Sequence, residues 1–168
     1  MSGRVVVLEI SVLEAVHLSG MVEQFLELLD SSDIDGATPS DPAIARLVPD
    51  AYTGDVDAST EFRRLTGSDL FDRRRHDAGV VLATLATEDT DADLNSVSDE
   101  DLTRSFVMTL DDEEAGAWMR VLAAVRLVLA SRLGIETEND HDEHDPRFGV
   151  YEWLGVRLEG LVHAIDAA

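Results

Sequence analysis

The feature that most narrows the fold is a unit that occurs twice, one hundred residues apart. Residues 4–10 read as a strand, because Val5, Val6, Val7, Leu8 and Ile10 are β-branched or otherwise apolar. Ser11 ends the run and Glu14 follows three residues later, the signature of a helix start in which cap and glutamate satisfy each other's backbone. A helix is predicted from about 12 to 30, with Leu18, Val22, Phe25, Leu26 and Leu29 on one face. Residues 104–110 repeat the strand, Asp111 takes the place of Ser11, and Glu114 takes the place of Glu14. Trp118, Leu122, Val125 and Leu129 then fall where Leu18, Val22, Phe25 and Leu29 fall.

On the strands, Val6, Leu8 and Ile10 alternate in step with Phe106, Met108 and Leu110. A two-stranded sheet is not stable alone. The strands must pair with each other, pack on helices, or pair with another chain. A pseudo-twofold relation between the units favours an antiparallel ribbon, with those six alternating residues turned toward the core. The expected fold class is therefore mainly α (α+β): a helical domain, residues 1–168, with a two-stranded antiparallel β ribbon. An internal duplication would relate residues 4–88 to residues 104–166.

Between the units the chain reads as helical. Asp41-Pro42 is a cap followed by proline at the first helical position, opening a short helix that stops near Pro49. Ala58, Phe62 and Leu65 suggest a second short helix, broken at Gly67-Ser68, after which Ser68 caps a third. That third helix carries Phe71, Ala78, Leu82 and Leu85 on one face and ends near Glu88. Residues 89–102 and 136–147 read as acidic loops, the first with Ser98 as a cap. The last helix aligns Val150, Leu154, Leu158, Leu161 and Ile165, with Trp153 beside them.

Composition closes several routes to chemistry. The net charge is −22, from 35 acidic and 13 basic residues, and every basic residue is arginine. Without lysine there is no Schiff base and no phosphate-loop lysine. Without cysteine there are no disulfides, thiolate nucleophiles or cysteine zinc sites. The acid excess opposes non-specific attraction to nucleic acid or anionic membrane. With 45% hydrophobic residues the chain can still build a core. Glu9 and Glu14 interrupt the first apolar stretch, so it does not read as a secretion signal. No apolar run approaches the ~20 residues of a membrane span. A cytoplasmic location is expected.

Four strings carry a resemblance. They are Ala45-Arg46-Leu47-Val48-Pro49-Asp50-Ala51-Tyr52; Glu61-Phe62-Arg63-Arg64-Leu65-Thr66 with Asp69-Leu70; Leu110-Asp111 leading to Trp118 and Arg126-Leu127-Val128-Leu129; and Val150-Tyr151-Glu152-Trp153-Leu154. Together they resemble the actinobacterial AosR family of oxidative-stress transcriptional regulators, formerly a domain of unknown function. The resemblance runs from the first strand to the last helix. It implies a small helical regulator working with the transcription machinery, with no catalytic residue and no cofactor. One departure matters: oxidant sensing by a protein alone usually runs through cysteine, and only Met1, Met21, Met108 and Met119 are present here, three of them at packed positions.

Several constellations have both a functional and an ordinary reading. Glu14 and Glu114 resemble a paired-carboxylate acid–base site, but capping explains both. His141, Asp142, Glu143, His144 and Asp145 could catch a metal ion, but nothing there fixes geometry, and a solvated acidic loop explains them. His17, His76 and His163 each stand alone on a predicted helix. The strongest cluster is Arg63, Arg64, Arg73, Arg74 and Arg75, five of the thirteen arginines within thirteen positions. Arginine reads guanine edges and phosphates, and it anchors protein contacts. Yet three consecutive residues at ~100° spacing cannot share one helix face, and Asp69, Asp72 and Asp77 can neutralise them.

The favoured expectation is a non-catalytic regulator whose acidic surface meets a protein partner, a transcription component or a basic regulator, through these five arginines. Direct DNA binding through the same cluster is the first alternative. A metal-binding protein or enzyme using the acidic loop is the second.

Overall fold

The computed structural model describes residues 4–32, 36, 38–86 and 98–167. Strand β1 (Val5–Ser11) leads directly into helix α1 (Val12–Asp30), and β2 (Ser105–Asp111) leads directly into α5 (Asp112–Leu133). Both junctions are closed by reciprocal caps. The Ser11 N–H donates to Glu14 at 2.9 Å while Ser11 Oγ accepts from the Glu14 N–H at 3.2 Å. The Asp111 and Glu114 pair repeats this with both bonds at 2.9 Å.

β1 and β2 form an antiparallel two-stranded sheet, with Val5 opposite Asp111, Leu8 opposite Met108 and Ser11 opposite Ser105. Val6, Ile10, Met108 and Leu110 are buried, and Leu8 and Phe106 pack half-buried against the same core. The fold is therefore mainly helical with a two-stranded antiparallel ribbon, as the alternation predicts.

The core under the ribbon takes Leu18, Val22, Phe25 and Leu29 from α1, Trp118, Val121, Leu122 and Val125 from α5, and Leu154 and Leu161 from α6 (Gly149–Ala167). Short α2 (Pro42–Leu47) adds Ile44 and Leu47; its Asp41 cap accepts from the Ala43 N–H at 2.8 Å. Trp118 is buried, and its indole N–H donates to Thr84 Oγ1 at 2.8 Å. Gly134 ends α5 with φ 74°, the left-handed conformation that favours glycine at this position.

Two expectations are corrected. Residues 56–86 form one continuous helix, α3 (Val56–Ala86), with no break at Gly67-Ser68. A helix-interior glycine costs only about 1 kcal/mol relative to alanine, and Gly67 lies on the buried side of α3 with Ser59, Arg63 and Phe71. The apolar residues Phe62 and Leu65, which mark a helix in the sequence, point outward. Residues 99–103, of which 99–102 are read as loop, form α4 (Asp99–Thr103), whose first turn is capped by Ser98 as expected. The expected helix end near Glu88 and the loop over 89–97 lie outside the described residues. The stretch 136–147 includes a single helical turn at Glu138–Asp140 and meets a second at Pro146–Phe148.

Candidate functional site

The five arginines predicted to meet a partner all stand on α3, and the helix sends them in different directions. Arg63 is buried, 3% exposed. Its guanidinium pairs with Asp50, donates to the Gly36 carbonyl at 3.2 Å and reaches Thr38 Oγ1 at 3.3 Å. Gly36 has φ 97°, and a Cβ there would lie 3.0 Å from both Arg64 Cβ and the Thr60 carbonyl. A side chain there would be strained both by the backbone conformation and by the close approach. One turn before Arg63, Ser59 Oγ donates to the Tyr52 carbonyl at 2.9 Å and accepts from the Tyr52 N–H at 3.1 Å. The two most specific strings of the sequence, one around Pro49-Asp50 and one around Phe62-Arg63, are therefore a single folded unit.

The other arginines divide as follows. Arg64 is exposed and makes two bonds to Glu61, at 2.9 and 2.7 Å. Arg74 turns inward and donates to the Leu47 carbonyl at 3.1 Å. Burial lowers its pKa from the usual guanidinium value, with Asp77 partly offsetting this. Arg75 ties α3 to the end of α1 through Asp30 at 2.8 Å and the Leu29 carbonyl at 3.2 Å, and also meets Asp72 at 2.9 Å. Arg73 is exposed. Asp77 turns away from its own helix to hold Arg120 of α5 in a fork, both bonds at 2.8 Å. So Arg63, Arg64, Arg74 and Arg75 bond within the chain, and the cluster is not one face.

What sequence reasoning missed here is the inside-out pattern of α3. Buried Arg63 stands next to Phe62, 43% exposed, with Leu65 60% and Tyr52 52% exposed close by. The Tyr52 and Phe62 rings meet edge to face, 6.1 Å between centroids. The readable signal was the arginine itself, which has no place on the apolar face that Phe62 and Leu65 suggest.

Glu14 and Glu114 do not form a paired-carboxylate site. Their caps, Ser11 and Asp111, lie at opposite ends of the ribbon, about 20 Å apart along the strands. Glu14 does more than cap: its Oε1 also accepts from the Trp153 indole at 2.8 Å and from Arg157. Partial burial pushes its pKa up, but the bonds from Arg157, the Ser11 N–H and Trp153 outweigh this and hold it at about 2.

The acidic loop is divided among separate contacts. The His141 ring faces Phe148 and Tyr151, 5.9 and 5.4 Å between centroids, and its Nε2 meets the Glu152 carboxylate. Asp142 accepts from the His144 N–H at 2.9 Å, and Asp145 holds Arg147. Among the described residues, no group of three or more histidine or carboxylate side chains converges as a metal would require. His17 and His163 are exposed, and exposed His76 lies 3.8 Å from Glu113. No described helix is long and apolar enough to cross a membrane.

A mainly helical domain with a two-stranded ribbon, closed by twin capping boxes, is thus the class of protein the chain represents. It belongs to the DUF2017 family, described as a domain of unknown function, whose model matches residues 1–165. It is also similar to a protein of Mycobacterium leprae (strain TN) that bears the provisional name oxidative stress regulator AosR. The two are 30% identical over 149 residues, 77% of this chain and 60% of that protein. The chain thus spans less than two thirds of the length of that relative. No solved structure matches.

Proposed function

We propose that the chain is a non-catalytic, cytoplasmic regulator associated with transcription, working through contacts with another protein. The observation that carries this reading is where its charge lies. Among the described residues, seven of the thirteen arginines, Arg63, Arg64, Arg75, Arg120, Arg132, Arg147 and Arg157, pair with carboxylates of the same chain. The excess of acidic groups is left to the surface. Such a surface steers toward a basic protein and away from nucleic acid. The relative's name supports a regulatory role in the response to oxidants. With no cysteine, this chain would receive that signal through its partner instead of through a thiol of its own. Within the arginine cluster, Arg64 and Arg73 are the members exposed enough to take part in such a contact.

The test is transcript profiling of the source organism with and without the gene, before and after hydrogen peroxide. A defined set of transcripts should change in the deletion strain and recover on complementation. Identical profiles would overturn the proposal.

A further inference from the structure

We infer that the outward face of α3 around Phe62 and Leu65, with Tyr52 beside it, is a docking surface for a basic, amphipathic segment of a partner protein. This rests on the reading of the chain as a regulator acting through protein contacts, and it names the surface and the chemistry it takes.

The argument begins with an inversion. Scattered exposed apolar residues are ordinary; a buried charge and an exposed apolar group are the informative cases. Here both occur at adjacent positions, Arg63 inside and Phe62 outside. The exposure is built in and cannot be relieved by a small rotation of the helix. Arg63 is fixed to Asp50, Gly36 and Thr38, while Ser59 clamps the Tyr52 backbone at both its N–H and its carbonyl. Turning Phe62 inward would pull Arg63 out of these bonds and leave their partners unsatisfied. The Tyr52 and Phe62 rings form an edge-to-face pair at the surface on a backbone fixed by these bonds, and Leu65 continues it one turn along the same side of the helix. Aromatic groups held in place lose little entropy on binding and serve well as anchors.

Charge selects the occupant. Asp55, Glu61, Asp69 and Asp72 are exposed on the outward side of this stretch or at its start. Of the exposed cations on this stretch, Arg64 is neutralised by Glu61, and Arg73 at its far end is outweighed by the four carboxylates. A second copy of the chain would bring the same acids face to face across a twofold axis, on top of a net charge of −22 for each molecule. A segment with apolar side chains at helical spacing and arginine or lysine on its flanks meets the apolar pair and the acidic border together.

The experiment places a photo-crosslinking benzoylphenylalanine at Leu65 of the full chain, expressed in its source organism, with the same group at exposed Val156 of α6 as control. The expected result is an adduct specific to position 65, whose partner peptide is net positive and carries apolar residues at helical spacing. That purified partner should then bind the double variant Phe62→Ser, Leu65→Ser about tenfold or more weakly than wild type, while the variant keeps its melting temperature. An adduct with a second copy, with a neutral or acidic segment, or with nothing beyond the Val156 control would overturn the inference. So would equal binding by the folded variant. The two readings fail separately. A basic partner with no link to transcription would keep the docking surface and sink the regulatory role. Regulated transcripts that ignore the double variant would do the reverse.

Discussion

Leu8 stands directly opposite Met108 in the ribbon, and the two are equivalent positions of strand–helix units a hundred residues apart. A pair that maps onto itself under the repeat marks the pseudo-twofold axis. The strand register and the two capping boxes follow that axis. The symmetry fails at the carboxylates: Glu14 carries Trp153 and Arg157 in addition to its cap.

That asymmetry has a pH signature. The ionised form of Glu14 is favoured in the folded state, with a pKa of about 2 against an ordinary 4.5. A depressed acid stabilises the fold above its unfolded pKa and loses that contribution as pH falls through the folded one. Glu14→Gln should therefore lower stability at neutral pH, by an amount that shrinks from about pH 4.5 down to about pH 2. Urea titrations of both proteins across this range would show it. A difference independent of pH would mean that the carboxylate charge is not the source.

The core face of α1 gives a second expectation. Phe25 is buried among Leu29, Val22 and side chains of α5. Truncating a buried phenylalanine typically costs about 3–5 kcal/mol, so Phe25→Ala should lower the denaturation midpoint clearly. Val7→Ala, on the outer face of the ribbon, should stay within roughly 0.5 kcal/mol of wild type.

Arg63 and Arg73 should separate cleanly despite being of the same residue type on the same helix. Removing one partner of a buried ion pair leaves an uncompensated group and costs about 3–5 kcal/mol; because Asp50 is itself exposed, Arg63→Ala should fall at or below the lower end. Lysine cannot reproduce the three-way fork, so Arg63→Lys should rescue little. Arg73→Ala should leave thermal stability within roughly 0.5 kcal/mol. Calorimetry of the three variants decides it, and an unperturbed Arg63→Ala would mean that the pairing with Asp50 is dispensable.

Random duplex DNA should not bind appreciably at physiological salt. Affinity for duplex draws heavily on phosphate contacts, and of the five clustered arginines only Arg73 is both exposed and outside an ion pair among the described residues. Fluorescence anisotropy with unrelated duplexes is the measurement. Sub-micromolar binding that Arg64→Ala and Arg73→Ala abolish would restore the DNA-binding alternative.

The caps and the inward alternation of the strands were legible because each is a local rule acting over two to four residues, while the pairing was legible from the matched units a hundred residues apart. Ser11 with Glu14, Asp111 with Glu114, and Val6 with Ile10 announce themselves. The orientation of the central helix was not legible because it is set from a distance. Phe62 and Leu65 have the spacing of a core face, and nothing within α3 says otherwise. The decision comes from Asp50, Gly36 and Thr38, 13 to 27 positions away in sequence, which make the arginine the inward residue. Gly67 misled in the same way, since a glycine that packs and a glycine that breaks look alike without their neighbours. The arginine cluster was visible as composition, but its dispersal depended on acceptors such as the Leu47 carbonyl and Asp30, which belong to other helices.

The antiparallel ribbon also sets an order of events during synthesis. β1 leaves the ribosome before β2, its strand partner among the described residues, which is encoded about a hundred residues later. At ~5–20 residues per second, that partner arrives roughly 5–20 s afterwards. Throughout that interval Val6 and Ile10 have no β2 beside them, and the inner face of α1 has no α5 to cover it. Pairing so distant in sequence also carries a large loop-closure cost and slows the search for the native state. The nascent N-terminal half is thus a natural client for chaperones that hold exposed apolar strands, and its dependence on them should end when α5 emerges.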